Sequence, residues 1–314
     1  MPQKPNFARK MQNYIPQGNG DASGEYADDA SGSNVHYKSD GGGFEQGLEK
    51  SGIAIKGAAP KGGEKKADAK KGGDDVRRSL DGLGGTYAKC WDAGSEGSRK
   101  IISGISSSVR VEKTARPVSF FSPLGGSVVA GKMTQAKSVN FGKQKLFGGL
   151  DRTQDVLFHE FGHAVDYVMS ADEGETFWNP KKYVSESYVT ESSGKTIAET
   201  LRGEMSSKKA REIREAYARE VKPGDAKANM DWGDVSDVVS GFEKGGYGVN
   251  GFVHGSAYWK RAGVPGRGRE FFAEMFSAKS DPDQSRYELA KRFFPKSVAA
   301  FEEVYGKLLK GEKL

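Results

Sequence analysis

The stretch that most restricts the fold of this chain is VLFHEFGHAVDYV, Val156 to Val168. Two of the chain's four histidines, His159 and His163, sit here four residues apart inside an otherwise apolar segment. Asp151, with Gln154 three residues on, supplies a helix-start signal just upstream. On an α-helix, positions four apart stack on one side, so the two imidazoles point the same way and Asp155 and Asp166 extend their stripe. Phe158, Phe161, Val165 and Val168 fall on another face, which must be buried. The chain therefore has to build a core around a helix that carries two imidazoles on one wall.

The first quarter cannot supply that core. Residues 1–75 are a glycine- and lysine-rich tract in which Asp-Ala-Ser-Gly occurs twice, at Asp21 and Asp29, too few copies for a repeat fold. Such a tract buries too little apolar surface to offset its ordering entropy, which predicts a flexible tail or tether, with Ile53 to Ile55 a piece able to dock. Six lysines between Lys56 and Lys71 account for much of the net charge of +6. A lysine run separated by glycine and alanine, without interleaved aromatics, reads as a solvated linker and gives no clear nucleic-acid signal. No apolar run is long enough to span a membrane, and MPQKPNFARKMQNYIP lacks the apolar core of a Sec signal. One cysteine, Cys90, excludes an internal disulfide and a thiol-rich zinc ribbon; it reads as a packing residue. His36 lies in the tail with no partner in view.

From Val76 the texture changes. RKIISGISSSVRVEK predicts a helix running into a strand, and RPVSFFSPLGGSVVAG and KSVNFG predict short strands with Pro-Leu-Gly-Gly as a turn. The periodic apolar residues of 196–221 predict one amphipathic helix ended by Pro223-Gly224. DVSDVVSGF predicts a third helix. GREFFAEMFSAK and KSVAAFEEVYGKLL predict two more, separated by a Pro-containing turn. Strands first and helices afterwards give an α+β domain of about 240 residues, 76–314.

His-Glu-x-x-His on a helix suits a single Zn²⁺: the imidazoles of His159 and His163 are ligands, and Glu160 reaches the water that needs a general base. The bland alternative is a pair of core histidines bonded to the backbone, but chance alone gives this pattern in roughly four of a thousand such chains. A third protein ligand is needed. Asp166 shares the stripe but lies two turns from His159 and better suits orienting a histidine or capping a loop. His254 would complete a three-histidine site. Glu270 and Glu274, one turn apart in EFFAEMF, would be costly in so apolar a segment without a cation or donor. A solvated helix face is the bland reading of that pair.

HEFGHAVDY together with REFFAEMFS resembles the zincin metallopeptidases, and within them the gluzincin-like group that includes anthrax lethal factor. SDVVSG, GYGVNGFVHGSAYW, REFFAEMFSA and FPKSVAAFEEVY, spread over residues 150–305, are similar to zincin-like domains of bacteriophages and prophages. The resemblance implies a small sheet, an active-site helix and a mostly helical second half, with Glu270 as third ligand and Glu274 behind a ligand histidine. It also implies an oxyanion-donating tyrosine shortly before Glu270. The matching offset falls on Gly263, a departure; HGSAYW offers His254 and Tyr258 in its place, four apart and able to share a helix face. The expected function is zinc-dependent peptide hydrolysis on a viral or host protein, in a phage virion or host cytoplasm, a strand of the 117–141 region pairing with the substrate. The competing expectation is a virion-associated interaction protein that keeps the scaffold without the activity, its tail docking on a capsid partner.

Overall fold

The apolar spacing of the chain resolves into helices packed around a small sheet. The computed structural model describes residues 65–115, 119–123, 126–129, 132–135, 137–142, 151–172, 181–243, 248–251 and 253–314. The repeats, His36, Ile53 to Ile55, most of the lysine run and part of the expected Pro-Leu-Gly-Gly turn lie outside them. In chain order, α1 (Lys65–Asp81), α2 (Thr86–Ala93) and α3 (Glu96–Ile105) lead through a 3₁₀ turn, Ser106–Ser108, into β1 (Val109–Lys113). Then come β2 (Phe120–Ser122), β3 (Gly126–Val129), β4 (Lys132–Gln135) and β5 (Lys137–Phe141). The remaining elements of the described chain are helices. They are α4 (Thr153–Val168), α5 (Val184–Ser187), α6 (Ile197–Glu204), α7 (Ser207–Glu220), α8 (Ala226–Asp231), α9 (Gly233–Ser240), α10 (Ser256–Ser280), α11 (Ser285–Phe293) and α12 (Pro295–Leu309). The α+β class expected from the sequence holds, and α1 runs across the expected boundary at residue 75.

β5 is the middle strand of a three-stranded sheet, parallel to β1 with Val109 opposite Lys137, and antiparallel to β2 with Phe121 opposite Val139. Among the described residues, β3 and β4 pair with each other in a separate two-stranded sheet. Period-two alternation puts Val139 and Phe141 on the buried face. There Phe141 meets Phe161 at 6.0 Å and Phe121 meets Tyr167 at 5.9 Å between ring centroids, so the sheet lies over α4. The other flank of α4 rests on α10. Phe158, Phe161, Val165 and Val168 are all buried, as their helical face predicts, and Phe271, Phe272 and Phe276 continue that core on α10.

α4 and α10 approach closely enough to leave no room for a side chain at Gly162. A Cβ there would lie 2.8 Å from Ala273 Cα and 3.2 Å from its carbonyl oxygen. Ser277 Oγ donates to the Asp155 carbonyl at 2.9 Å and ties the same two helices together. At the start of α4 the N-cap position is Arg152, without a side-chain cap, and Asp151 accepts from the Thr153 N–H at 2.9 Å instead of closing the capping box expected with Gln154.

Two sequence expectations need correction. The single helix over 196–221 is two, because the Ser206 side chain accepts from Lys209 N at 3.1 Å and starts α7 after α6 has ended. The stretch between GREFFAEMFSAK and KSVAAFEEVYGKLL is more than a turn: it contains α11, whose Tyr287, Ala290 and Phe293 are buried at helical spacing.

Gly162→Ala is expected to lower unfolding stability by about 1–3 kcal/mol, since the neighbouring atoms are backbone and cannot turn aside. Urea denaturation checks this; an unchanged midpoint would mean that the helices can separate without loss.

Candidate metal centre

Helical spacing on α4 puts His159 and His163 side by side, ring centroids 4.7 Å apart and nearly perpendicular at 87°. Their Nε2 atoms are 3.1 Å apart. From α10, Glu270 directs Oε2 at the same point, 3.5 Å from His159 Nε2 and 3.4 Å from His163 Nε2. These three donors form a triangle with sides of 3.1, 3.4 and 3.5 Å. Four ligands placed tetrahedrally at about 2.0–2.1 Å from one ion would be about 3.3–3.4 Å from each other. The two Glu270 separations suit ligands of one ion and are long for charge-assisted hydrogen bonds. Glu270 is 3% exposed, and its Oε2 has no hydrogen-bond donor. Leaving such an acceptor unsatisfied costs about 1–3 kcal/mol or more for a charged group, so the triangle fits a cation.

The local charge balance points the same way. Asp155, Glu160, Asp234, Glu270 and Glu274 are buried carboxylates, and the one buried guanidinium among them is Arg286. Burial alone would raise Glu270, but the charges of His254 and His163 hold it well below the usual carboxylate range. Burial likewise opposes ionisation of Glu274, yet His159 and Arg286 bring it down to about 2. His159 would be lowered by burial and is instead held well above its ordinary value by Glu274 and Glu270. Both glutamates are thus pushed toward the ionised form.

Glu274 lies behind the triangle, its Oε1 3.5 Å from His159 Nδ1. A partner on that nitrogen leaves Nε2 to face Glu270 and His163. Glu160 is 7% exposed and its carboxylate has no hydrogen-bond partner among the described residues. Burial raises its pKa, while the charges of His159 and His163 counter part of that rise. The result is a more basic carboxylate beside the imidazoles, free to accept a proton.

His254 and Tyr258 come to the site from the other side. Their rings stack at 4.4 Å, although His254 precedes α10 and only Tyr258 lies on it, so their shared face is not that of one helix. His254 Nε2 is 4.0 Å from Glu270 Oε2. Asp237 on α9 fixes the ring, accepting from His254 Nδ1 at 2.9 Å and from its backbone N–H at 2.6 Å. Burial lowers the His254 pKa, but Asp237 and Glu270 carry it up to about 10. The Tyr258 hydroxyl donates to Glu270 Oε1. That contact depends on Gly263, where the expected tyrosine is missing. Its φ of 63° and ψ of −157° break α10, a conformation that glycine tolerates, and the segment carrying Tyr258 turns back onto Glu270. Pro265, just beyond the break, sits where a restarting helix accepts it.

Asp166 does not face the triangle. Its two oxygens accept from the Ser185 N–H at 2.8 Å and the Ser185 hydroxyl at 2.7 Å, capping the segment that holds α5. Cys90 packs partly buried against the core, and burial raises its thiol to about 11.

Sequence reasoning missed Asp237, Asp234 and Arg286. The signal for the first two was present: acids three apart in the apolar run DVSDVVSG need partners as much as those of EFFAEMF do. Nothing local marks Arg286, whose partners are far away in sequence. No protein-family model matches the chain, and no curated protein or solved structure matches it.

Two outcomes are expected. Elemental analysis finds one Zn²⁺ per chain in the wild type and almost none in His159→Ala, His163→Ala or Glu270→Ala, whereas Glu274→Ala still binds, about 10–100-fold more weakly. Zinc retained by Glu270→Ala but lost from Glu274→Ala would exchange their roles. Separately, burial raises Asp166 to about 8, so the folded chain holds a proton there that the unfolded chain releases near pH 4. Wild-type stability should fall relative to Asp166→Asn as pH rises from about 4 to 8, and level off above. Parallel melting curves for the two across that range would show that Asp166 is ionised in the fold.

Proposed function

We propose that this chain is a zinc-dependent endopeptidase with a zincin-like domain. The observation that carries the reading is the convergence of His159, His163 and the donorless Glu270 Oε2 on one point, with an unpartnered Glu160 beside it. The donor set, two imidazoles and one carboxylate, is one that holds catalytic zinc and leaves a position open. Zinc bound there supplies a Lewis acid for the scissile carbonyl and acidifies water to near neutrality.

The remaining chemistry belongs to side chains. Glu160 takes a proton from the attacking water and delivers it to the amine that leaves as the C–N bond breaks. With Nδ1 engaged by Asp237, His254 presents its Nε2–H to the cleft, where negative charge develops on the carbonyl oxygen. Tyr258 is a second donor at the same wall once its hydroxyl is released from Glu270. Asp237 is a positioning residue that acts through His254. β2 is an edge strand of the described sheet and packs near α4, so a substrate peptide bound in extended form would lie along that edge. That contact favours an unfolded or looped protein segment as substrate.

With zinc-loaded protein and a quenched-fluorescence peptide library, Glu160→Gln is expected to keep its metal and lose about 10²–10⁴-fold in cleavage rate. His254→Ala should lose less, through kcat rather than KM, because its contact forms as charge develops. Undiminished cleavage by Glu160→Gln would remove the mechanism. A zinc-loaded wild type that cleaves nothing would remove the peptidase reading and leave the metal centre standing.

A further inference from the structure

A buried ion cluster lies directly behind the triangle and has no part in the chemistry above. At its centre is Arg286 on α11, 3% exposed. Its Nε and Nη2 donate to Asp234 on α9 at 3.0 and 2.8 Å, and Nη1 donates to Asp155 on α4. Nη2 also lies 3.7 Å from Glu274 Oε2, and Ser277 Oγ is 3.4 Å away. Asp281 stands 3.9 Å from Nη1. One planar fork thus meets carboxylates from three other helices, α4, α9 and α10. Glu274 is the member that touches the site: Oε2 faces Arg286 and Oε1 faces His159 Nδ1.

We propose that Arg286 is a positioning residue of the metal centre, holding Glu274 so that its second oxygen fixes the His159 ring with Nε2 toward Glu270 and His163. This rests on the metal-centre reading. Purely as a stabiliser the cluster would be poorly chosen. Taking one guanidinium and three carboxylates out of water costs several kcal/mol per ion, and apolar residues of similar volume commonly do as well. Its distinctive property is geometric. A guanidinium offers donors in fixed directions within one plane, so Asp234 and Asp155, hydrogen-bonded to it, fix where its charge sits, and Glu274 at 3.7 Å is held by that fixed charge as an ion pair; a lysine ammonium would give a mobile point charge. The path from Arg286 to the triangle passes through one side chain, Glu274, and one ring, His159. Second partners of this kind tune how tightly a ligand histidine holds its metal.

The experiment is a double-mutant cycle on metal binding, read without reference to turnover. Zn²⁺ affinity is measured by chelator competition, and the visible spectrum of the Co²⁺-loaded protein reports ligand geometry. Arg286→Lys is expected to weaken Zn²⁺ about 10–100-fold and to change the Co²⁺ bands. In a Glu274→Gln background, the same substitution should alter Zn²⁺ affinity by less than about 3-fold, since the route is already cut. Where lysine leaves the buried acids too short of donors to fold, Asp234→Asn combined with Arg286→Gln removes the guanidinium together with its main hydrogen-bond partner and enters the cycle in its place. Melting temperatures are read on every variant. An Arg286 substitution that folds and keeps wild-type affinity overturns the proposal; so does an equal loss in both backgrounds, which would mark Arg286 as merely structural. A wild type that fails to bind Zn²⁺ with one-to-one stoichiometry overturns the metal-centre reading beneath it, a result distinct from either.

Discussion

The contact between Gly162 and Ala273 is the constraint on which the site depends. Two helices come together with no side chain between them at that point, and every donor of the triangle is one turn or less away along α4 or α10. His163 follows Gly162 directly, His159 is three residues before it, and Glu270 is three before Ala273. Ordinary helix packing keeps axes about 8–10 Å apart, depending on the side chains at the crossing. A larger residue at the crossing would move Glu270 Oε2 away from both imidazoles together, because the helices displace as rods. The glycine in HEFGH is therefore a packing residue in a motif otherwise read for its chemistry.

Charge explains why this contact is worth its difficulty. The space beneath the sheet is lined by Phe158, Phe161, Phe271, Phe272 and Phe276, each worth about 1.5–3 kcal/mol when buried. Among the described residues the same region holds the buried carboxylates Asp155, Glu160, Asp234, Glu270 and Glu274, with Arg286 the buried guanidinium beside them. Those acids are tolerable only where donors or cations reach them. Asp155 and Asp234 have Arg286, and Glu274 has Arg286 and His159, whereas Glu270 has one oxygen on Tyr258 and the other aimed at the two imidazoles. The shortfall is concentrated at the triangle, where a divalent ion would offset it. The aromatic core keeps the Glu270 carboxylate out of water, and that burial strengthens both the penalty and the remedy.

How legible this was in the sequence varied with the range of the interaction. α4, its two faces and the pairing of its histidines could be read because all of that is settled within one helix. Two acids stranded among phenylalanines pointed to the EFFAEMF helix, and only the family resemblance favoured Glu270 over Glu274. The break between α6 and α7 was hidden by an apolar period that continues across Ser206, and the local cap at that serine outweighed it. α11 was overlooked because its helical period is short and lies between two prolines. Arg286 was invisible for a different reason: one of two arginines in SRYELAKRF, it looks like any solvated charge until three distant helices surround it.

The departure at Gly263 links these levels. A helix unbroken through that position would carry Tyr258 about 18 Å along the axis from Glu270, at 1.5 Å for each of the twelve intervening steps, far beyond hydrogen-bond reach. The left-handed φ of Gly263 folds that distance away, bringing the hydroxyl to Glu270 Oε1 and the stacked His254 to within 4.0 Å of Oε2. A tyrosine twelve residues before the glutamate thus reaches it through a glycine break. Sequence offsets alone separate the two; backbone conformation brings them together. A substitution with a Cβ at 263 would act on both donors at once, which is why a residue with no side chain belongs with the determinants of this site.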